Sequence, residues 1–172
     1  MCDNTVTRDR LCPHAPPMGG CLTDNVSDRL GISEVLDDYA RGVDSKDWDL
    51  VLSCFTPDAV LDYSAFGGPK ASAQEVVDWI AGNVANFLMT QHHITNRHIT
   101  LDADDAVCVA ELFAPMGMAS KEPGKLTILW TGGAYHDRFT RTPDGWKIVR
   151  RVFEKAWMAA GPEGTGPMGP KA

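Results

Sequence analysis

The chain has 172 residues, 44% of them apolar and 23% charged, with a formal net charge of −7. That is enough for one domain with its own core and too little for two ordinary ones. An acidic balance without a long basic run excludes nucleic acid and anionic membrane as expected partners, and no apolar stretch reaches the length of a membrane span.

Residues 1–25 carry Pro13, Pro16, Pro17, Gly19 and Gly20 without periodicity and read as a flexible leader. There is no basic start followed by an apolar core of a secretory signal, so a cytoplasmic, reduced protein is expected. Cys2, Cys12 and Cys21 match no zinc spacing, whereas Cys54 and Cys108 lie in apolar runs and read as small buried hydrophobes.

The domain is expected over 26–159. Ser27 or Asp28 can cap a first helix whose apolar positions Leu36, Tyr39, Ala40 and Val43 follow a three-and-four spacing, and Gly42 suggests an end nearby. Asp47 can cap a short second helix with Trp48, Val51, Leu52 and Phe55. Residues 58–63 read as a strand. Ser72-Ala-Gln-Glu75 is a capping box that opens a third helix carrying Val76, Trp79, Ile80, Val84 and Phe87. Strand-like runs follow near 91–101, 104–118, 125–140 and 146–158. Turn signals at Asp102–Asp105, Pro123-Gly124 and Pro143-Asp144-Gly145 separate them. Residues 160–172 alternate Gly and Pro and read as a flexible tail. Helices first and long strands after predict an α+β fold, with helices on one face of a curved sheet.

The groups able to move protons lie far apart in sequence. Asp44, His92, Tyr39 and Tyr63 supply an acid, an imidazole and two phenols. A carboxylate in reach of an imidazole sets its tautomer and leaves the second ring nitrogen free to exchange a proton. Each residue also has a structural alternative. Asp44 suits a turn, His92 and His93 suit a strand with alternating faces, Tyr39 suits a core stripe and Tyr63 an ordinary strand aromatic. Glu111, between Ala110 and Leu112, points either outward or into a polar pocket. Tyr39 and Asp44, five positions apart, share a pocket only if the helix ends near Gly42. His92 and His98 share a strand face but stand roughly 20 Å apart, so no metal site is expected. No cysteine has an obvious base beside it, and no Gly-rich loop joins a strand to a helix, so neither a thiol nucleophile nor a nucleotide cofactor is expected.

Asp44-Ser-Lys-Asp-Trp-Asp49, Asp62-Tyr63, Gln91-His92-His93-Ile-Thr-Asn96 and Asp144-Gly-Trp-Lys147 together resemble the SnoaL-like branch of the nuclear transport factor 2-like superfamily. The nearest enzymatic parallels are scytalone dehydratase and the bile-acid 7α-dehydratases. The resemblance spans roughly 27–158. It implies a cone-shaped fold of three N-terminal helices on a strongly curved, mostly antiparallel sheet. It also implies catalytic roles for Asp44 and His92 as an acid–histidine pair, and for Tyr39 and Tyr63. Glu111 falls near a third-strand polar position. An arginine of the last strand falls at Arg150 or Arg151, and strand parity with inward Trp146 and Ile148 favours Arg150. Val43, Gly133 and Tyr135 depart from the scytalone dehydratase pattern, which argues against scytalone itself.

The expected activity is a cofactor-independent dehydratase or proton-transfer isomerase. Its expected partner is a hydrophobic cyclic small molecule, steroid-like or polyketide-like, and relatives imply a homo-dimer or homo-trimer. The rivals are a non-catalytic ligand-binding or assembly subunit of the same fold, a polyketide cyclase, and an epoxide hydrolase with an Asp–Arg–Asp arrangement.

Overall fold

A computed structural model describes residues 22–160, with side chains from Asn25 onward. The expected leader and tail, with Cys2, Cys12 and Cys21, fall almost wholly outside these residues. Three helices precede most of the sheet: α1 (Leu22–Ser45), α2 (Trp48–Ser53) and α3 (Ala73–Val84). The strands are β1 (Phe55–Asp62), β2 (Lys70–Ser72), β3 (Met89–Thr90), β4 (His93–Asp102), β5 (Asp105–Ala119), β6 (Leu126–Thr142) and β7 (Gly145–Ala160). They form one seven-stranded sheet in the order β2-β1-β7-β6-β5-β3, with β4 also paired to β5. Only β1 and β7 run parallel; the other pairs are antiparallel. The architecture is α+β, as expected. No described helix is long and apolar enough to cross a membrane.

Local signals explain most element boundaries. The Asp47 side chain accepts from the Leu50 amide and starts α2, and Ser72 and Glu75 form the reciprocal capping box of α3. Gly42 lies near the end of α1, as expected. The helix runs through it to Ser45 and ends on Lys46, whose φ of 60° is left-handed. The Asp47 amide then reaches the Gly42 carbonyl at 2.8 Å and the Lys46 amide the Val43 carbonyl at 3.2 Å, the pairing of a Schellman ending.

What Gly42 provides is closeness. A Cβ there would stand 2.7 Å from Val51 Cγ2 and 3.1 Å from the Asp47 carbonyl oxygen and the Val51 nitrogen. Rotamer changes cannot move those backbone atoms. Gly42→Ala is therefore expected to lose about 1–3 kcal/mol through overpacking, outweighing the roughly 1 kcal/mol gained in helix propensity, as read by urea unfolding.

The core lies between the helices and the concave face of the sheet. Ile32, Leu36, Tyr39 and Val43 of α1 are all at most 1% exposed, as are Val76 and Val77 of α3. The same core takes in inward residues of β5 that are mostly small: Ala106, Cys108, Ala110 and Ala114. Small side chains under the helices leave room that larger ones would fill. Cys54 and Cys108 are buried free thiols, as expected, and burial pushes both up to about 11.

Curvature comes from irregular pairing. β7 carries one extra residue between Ile148 and Arg150 and another between Lys155 and Trp157, opposite Arg138-Phe139 and Gly132-Gly133. At Gly133 a Cβ would lie 2.2 Å from the Glu154 carbonyl oxygen, so only glycine permits the strands to bend together there.

Candidate active site

His92 falls in the two-residue gap between β3 and β4, outside the ladder, so its backbone N–H has no strand partner. Asp44, on the last turn of α1, supplies one. The His92 N–H donates to Asp44 Oδ2 at 2.8 Å, and its Nδ1 meets Asp44 Oδ1 at 2.6 Å. An ionised carboxylate only accepts, so Nδ1 is the donor of this pair, and in the neutral imidazole Nε2 presents the lone pair. The His92 side chain is 10% exposed and that of Asp44 27%.

His92 lines a cavity of about 240 Å³ between helices and sheet; Asp44 does not. The imidazole thus stands between carboxylate and cavity. Tyr39 lines the cavity from the core stripe of α1, beside Val43. The helix ends near Gly42, at Ser45, yet Asp44 sits behind His92 rather than beside Tyr39 in the cavity lining.

Tyr63, immediately after β1, meets Tyr39 hydroxyl to hydroxyl at 2.8 Å. One hydroxyl donates to the other, which keeps its own proton to give. Tyr135 of β6 packs edge-on against Tyr39 with centroids 5.8 Å apart. All three tyrosines of the chain therefore gather at one end of the cavity. Burial raises Tyr63 and Tyr135 well above an ordinary phenol, so both are neutral donors at neutral pH. Phe66, Trp79, Phe87 and Phe153 give the remaining wall an aromatic lining.

Two expected residues lie elsewhere. Arg150 is exposed, and the fully buried arginine is Arg151. The parity argument from Trp146 and Ile148 fails because the extra residue at Val149 shifts the alternation by one. Glu111 points outward on β5 and accepts from Asn96 Nδ2 at 2.8 Å, so it does not join the cavity. His93 and His98 are exposed. No group of three His, Cys, Asp or Glu among the described residues is placed to hold a metal ion.

The pairing of Arg151 with Asp137 is the main feature that residue patterns alone missed. Arg151 Nε and Nη2 donate to the two carboxylate oxygens of Asp137 at 2.8 and 2.7 Å, and neither side chain is exposed. The guanidinium lies in the corner between the nearly perpendicular rings of Tyr39, at 4.2 Å, and Tyr135, at 4.0 Å. Burial opposes its charge, but the touching Asp137 carboxylate more than offsets this and holds Arg151 above its ordinary pKa. The pair sits behind the tyrosines, outside the cavity lining, and fixes where their rings stand. Arg151 meets one carboxylate, so an Asp–Arg–Asp clamp is not assembled around it among the described residues.

Residues 24–152 match the SnoaL-like domain family. The uncharacterised protein Rv2910c of Mycobacterium tuberculosis is 36% identical over 133 residues, covering 77% of this chain and 88% of the relative. A proposed aromatic ring hydroxylase from Novosphingobium aromaticivorans superposes with a TM-score of 0.68 at 28% identity, covering 79% of this chain and 94% of its own. A proposed scytalone dehydratase from the same organism gives a TM-score of 0.69 at 19% identity, covering 88% and 100%, and so speaks for the fold alone. With the family matched over most of the chain and the sheet and helices in agreement, this protein belongs to the SnoaL-like domain family.

Proposed function

We propose that the chain is a cofactor-independent lyase or proton-transfer isomerase acting on a hydrophobic cyclic small molecule held in the cavity. The observation that carries this reading is His92, clasped by Asp44 through ring and backbone and turned with its free nitrogen side toward an aromatic-lined hollow. A part-buried, pre-oriented base beside apolar walls suits removal of a proton from carbon.

In the elimination, His92 Nε2 takes a proton from the carbon beside a carbonyl. The C–H electron pair becomes the new C=C bond as the neighbouring C–O bond breaks. The imidazolium returns its proton to the departing hydroxide, so water leaves and His92 is restored. Returning the proton to another carbon instead gives isomerisation. Asp44 holds the tautomer and balances the transient positive charge. The hydroxyl pair of Tyr39 and Tyr63 donates to the carbonyl oxygen as it gains charge.

The test needs no knowledge of the natural substrate. With 1-indanone in D2O, the wild-type protein is expected to wash deuterium into the carbon next to the carbonyl, followed by proton NMR. His92→Ala is expected to show the buffer rate only. Equal exchange by both proteins sinks the assignment.

A second reading is an assembly subunit of a ring-hydroxylating complex. The ring-hydroxylase neighbour favours it, as does an uncovered aromatic cluster on the outer sheet face, where Phe113 contacts His93, Trp130 and Trp157. Catalysed exchange by the chain purified alone argues for the lyase, whereas an inert chain argues for the subunit.

A further inference from the structure

Thr131 sits on β6 in the cavity wall, 2% exposed, and its Oγ1 is buried with no hydrogen-bond partner. Thr56 and Thr90 also have unpartnered buried hydroxyls, but neither lines the cavity. A buried hydroxyl without a partner is destabilising, and valine would present nearly the same shape without that cost. Polar atoms kept at such a cost mark places where function outweighs stability.

The position of Thr131 separates it from the tyrosines. It lies four residues from Tyr135 on the same strand, about 13 Å along the sheet. Tyr39 and Tyr63 gather around Tyr135, which favours a separate ligand oxygen for Thr131. Cavity size narrows the ligand further. An apolar cavity of about 150 Å³ accepts benzene, and this one measures about 240 Å³. It suits one or two rings, and a four-ring steroid would have to extend out of it.

We propose that Thr131 is a specificity-determining residue whose hydroxyl binds the second oxygen substituent of a compact, one- or two-ring substrate oxygenated at both ends. This rests on reading the cavity as the substrate site, and it replaces a steroid-like substrate with a smaller one. Reaching the ligand takes a turn about χ1, which exchanges the hydroxyl with the methyl.

The test uses three probes of one shape: indane, 1-indanone and 5-hydroxy-1-indanone. Dissociation constants by calorimetry are measured for wild type, Thr131→Val, Thr131→Ser and Tyr63→Phe. In wild type the second oxygen is expected to tighten binding about five- to tenfold. Thr131→Val is expected to lose that gain while keeping the preference for 1-indanone over indane, and Thr131→Ser is expected to stay within about threefold of wild type. Without ligand, Thr131→Val is expected to melt about 2–4 °C higher, because an unpartnered hydroxyl has gone.

Unchanged binding of 5-hydroxy-1-indanone by Thr131→Val overturns the proposal, and so does a lower melting temperature of that variant, which would reveal a structural bond. If Tyr63→Phe abolishes the ketone preference while Thr131→Val changes nothing, the cavity reading survives and this inference fails. If Thr131→Val loses the second-oxygen gain while Tyr63→Phe is silent, the inference holds and the roles given to the tyrosines fail.

Discussion

Asp137→Ala is expected to lower the folding free energy by about 3–5 kcal/mol. The reason lies in what stays behind. Arg151 has no exposed surface, and both of its hydrogen bonds end on Asp137. Without that carboxylate the guanidinium faces the rings of Tyr39, Tyr135 and Phe55. Cation–π attraction contributes about 0.5–2 kcal/mol, too little to replace water and a counter-charge.

The two partners also differ in how they escape. A stranded carboxylate can take up a proton and become neutral; a stranded guanidinium cannot lose one. Arg151→Met is therefore expected to be milder than Asp137→Ala. The double variant Asp137→Ala/Arg151→Met is expected to recover at least half of the loss, because no charge is left buried. Urea unfolding of the three variants measures this. A double variant no more stable than Asp137→Ala alone would show that the guanidinium was never the source of the penalty.

How much of this was legible beforehand follows from how local each cause is. Asp47 and Ser72 cap their helices through contacts within three residues, and their signatures are readable in a short window. Turns around Asp102–Asp105 and Pro143–Gly145 are equally local, so the long strands were found close to their true limits. Gly42 marked the helix end to within three residues, but its close packing went unread, because a helix-ending glycine and a close-packing glycine look alike in sequence. Only the approach of Val51, set by how α2 folds back, separates the two.

Arg150 was favoured over Arg151 for a related reason. Alternation was extrapolated across Val149, and a bulge there belongs to the pairing of β6 with β7 rather than to either strand alone. Glu111 shows the limit from the other side, since a strand carboxylate between apolar neighbours is what simple alternation puts outside. The meeting of Asp44 and His92, 48 residues apart, came from family resemblance and from nothing local. The Asp137–Arg151 pair and the lone hydroxyl of Thr131 gave no pattern at all. Their significance is that they are buried, which is a property of the assembled sheet.

Asp44→Asn is the sharpest probe of the proposed chemistry, with an expected fall in the rate of proton transfer of about 10²–10⁴-fold and little change in stability. The argument turns on the backbone. The His92 N–H donates to Asp44 Oδ2, so an asparagine keeps its carbonyl oxygen in that place. Its NH₂ group then faces Nδ1, where Asp44 Oδ1 stood at 2.6 Å. A donor opposite Nδ1 makes that nitrogen the acceptor and moves the ring proton to Nε2. The cavity then meets an N–H instead of a lone pair, and the base is present but in the wrong tautomer. His92→Ala removes the ring altogether and is expected to fall at least as far. Deuterium exchange into 1-indanone supplies the rates, and nitrogen-15 chemical shifts of His92 report the tautomer directly. Asp44→Asn with wild-type exchange, or with a proton still on Nδ1, would mean that the carboxylate serves only to tie α1 to the β3–β4 junction.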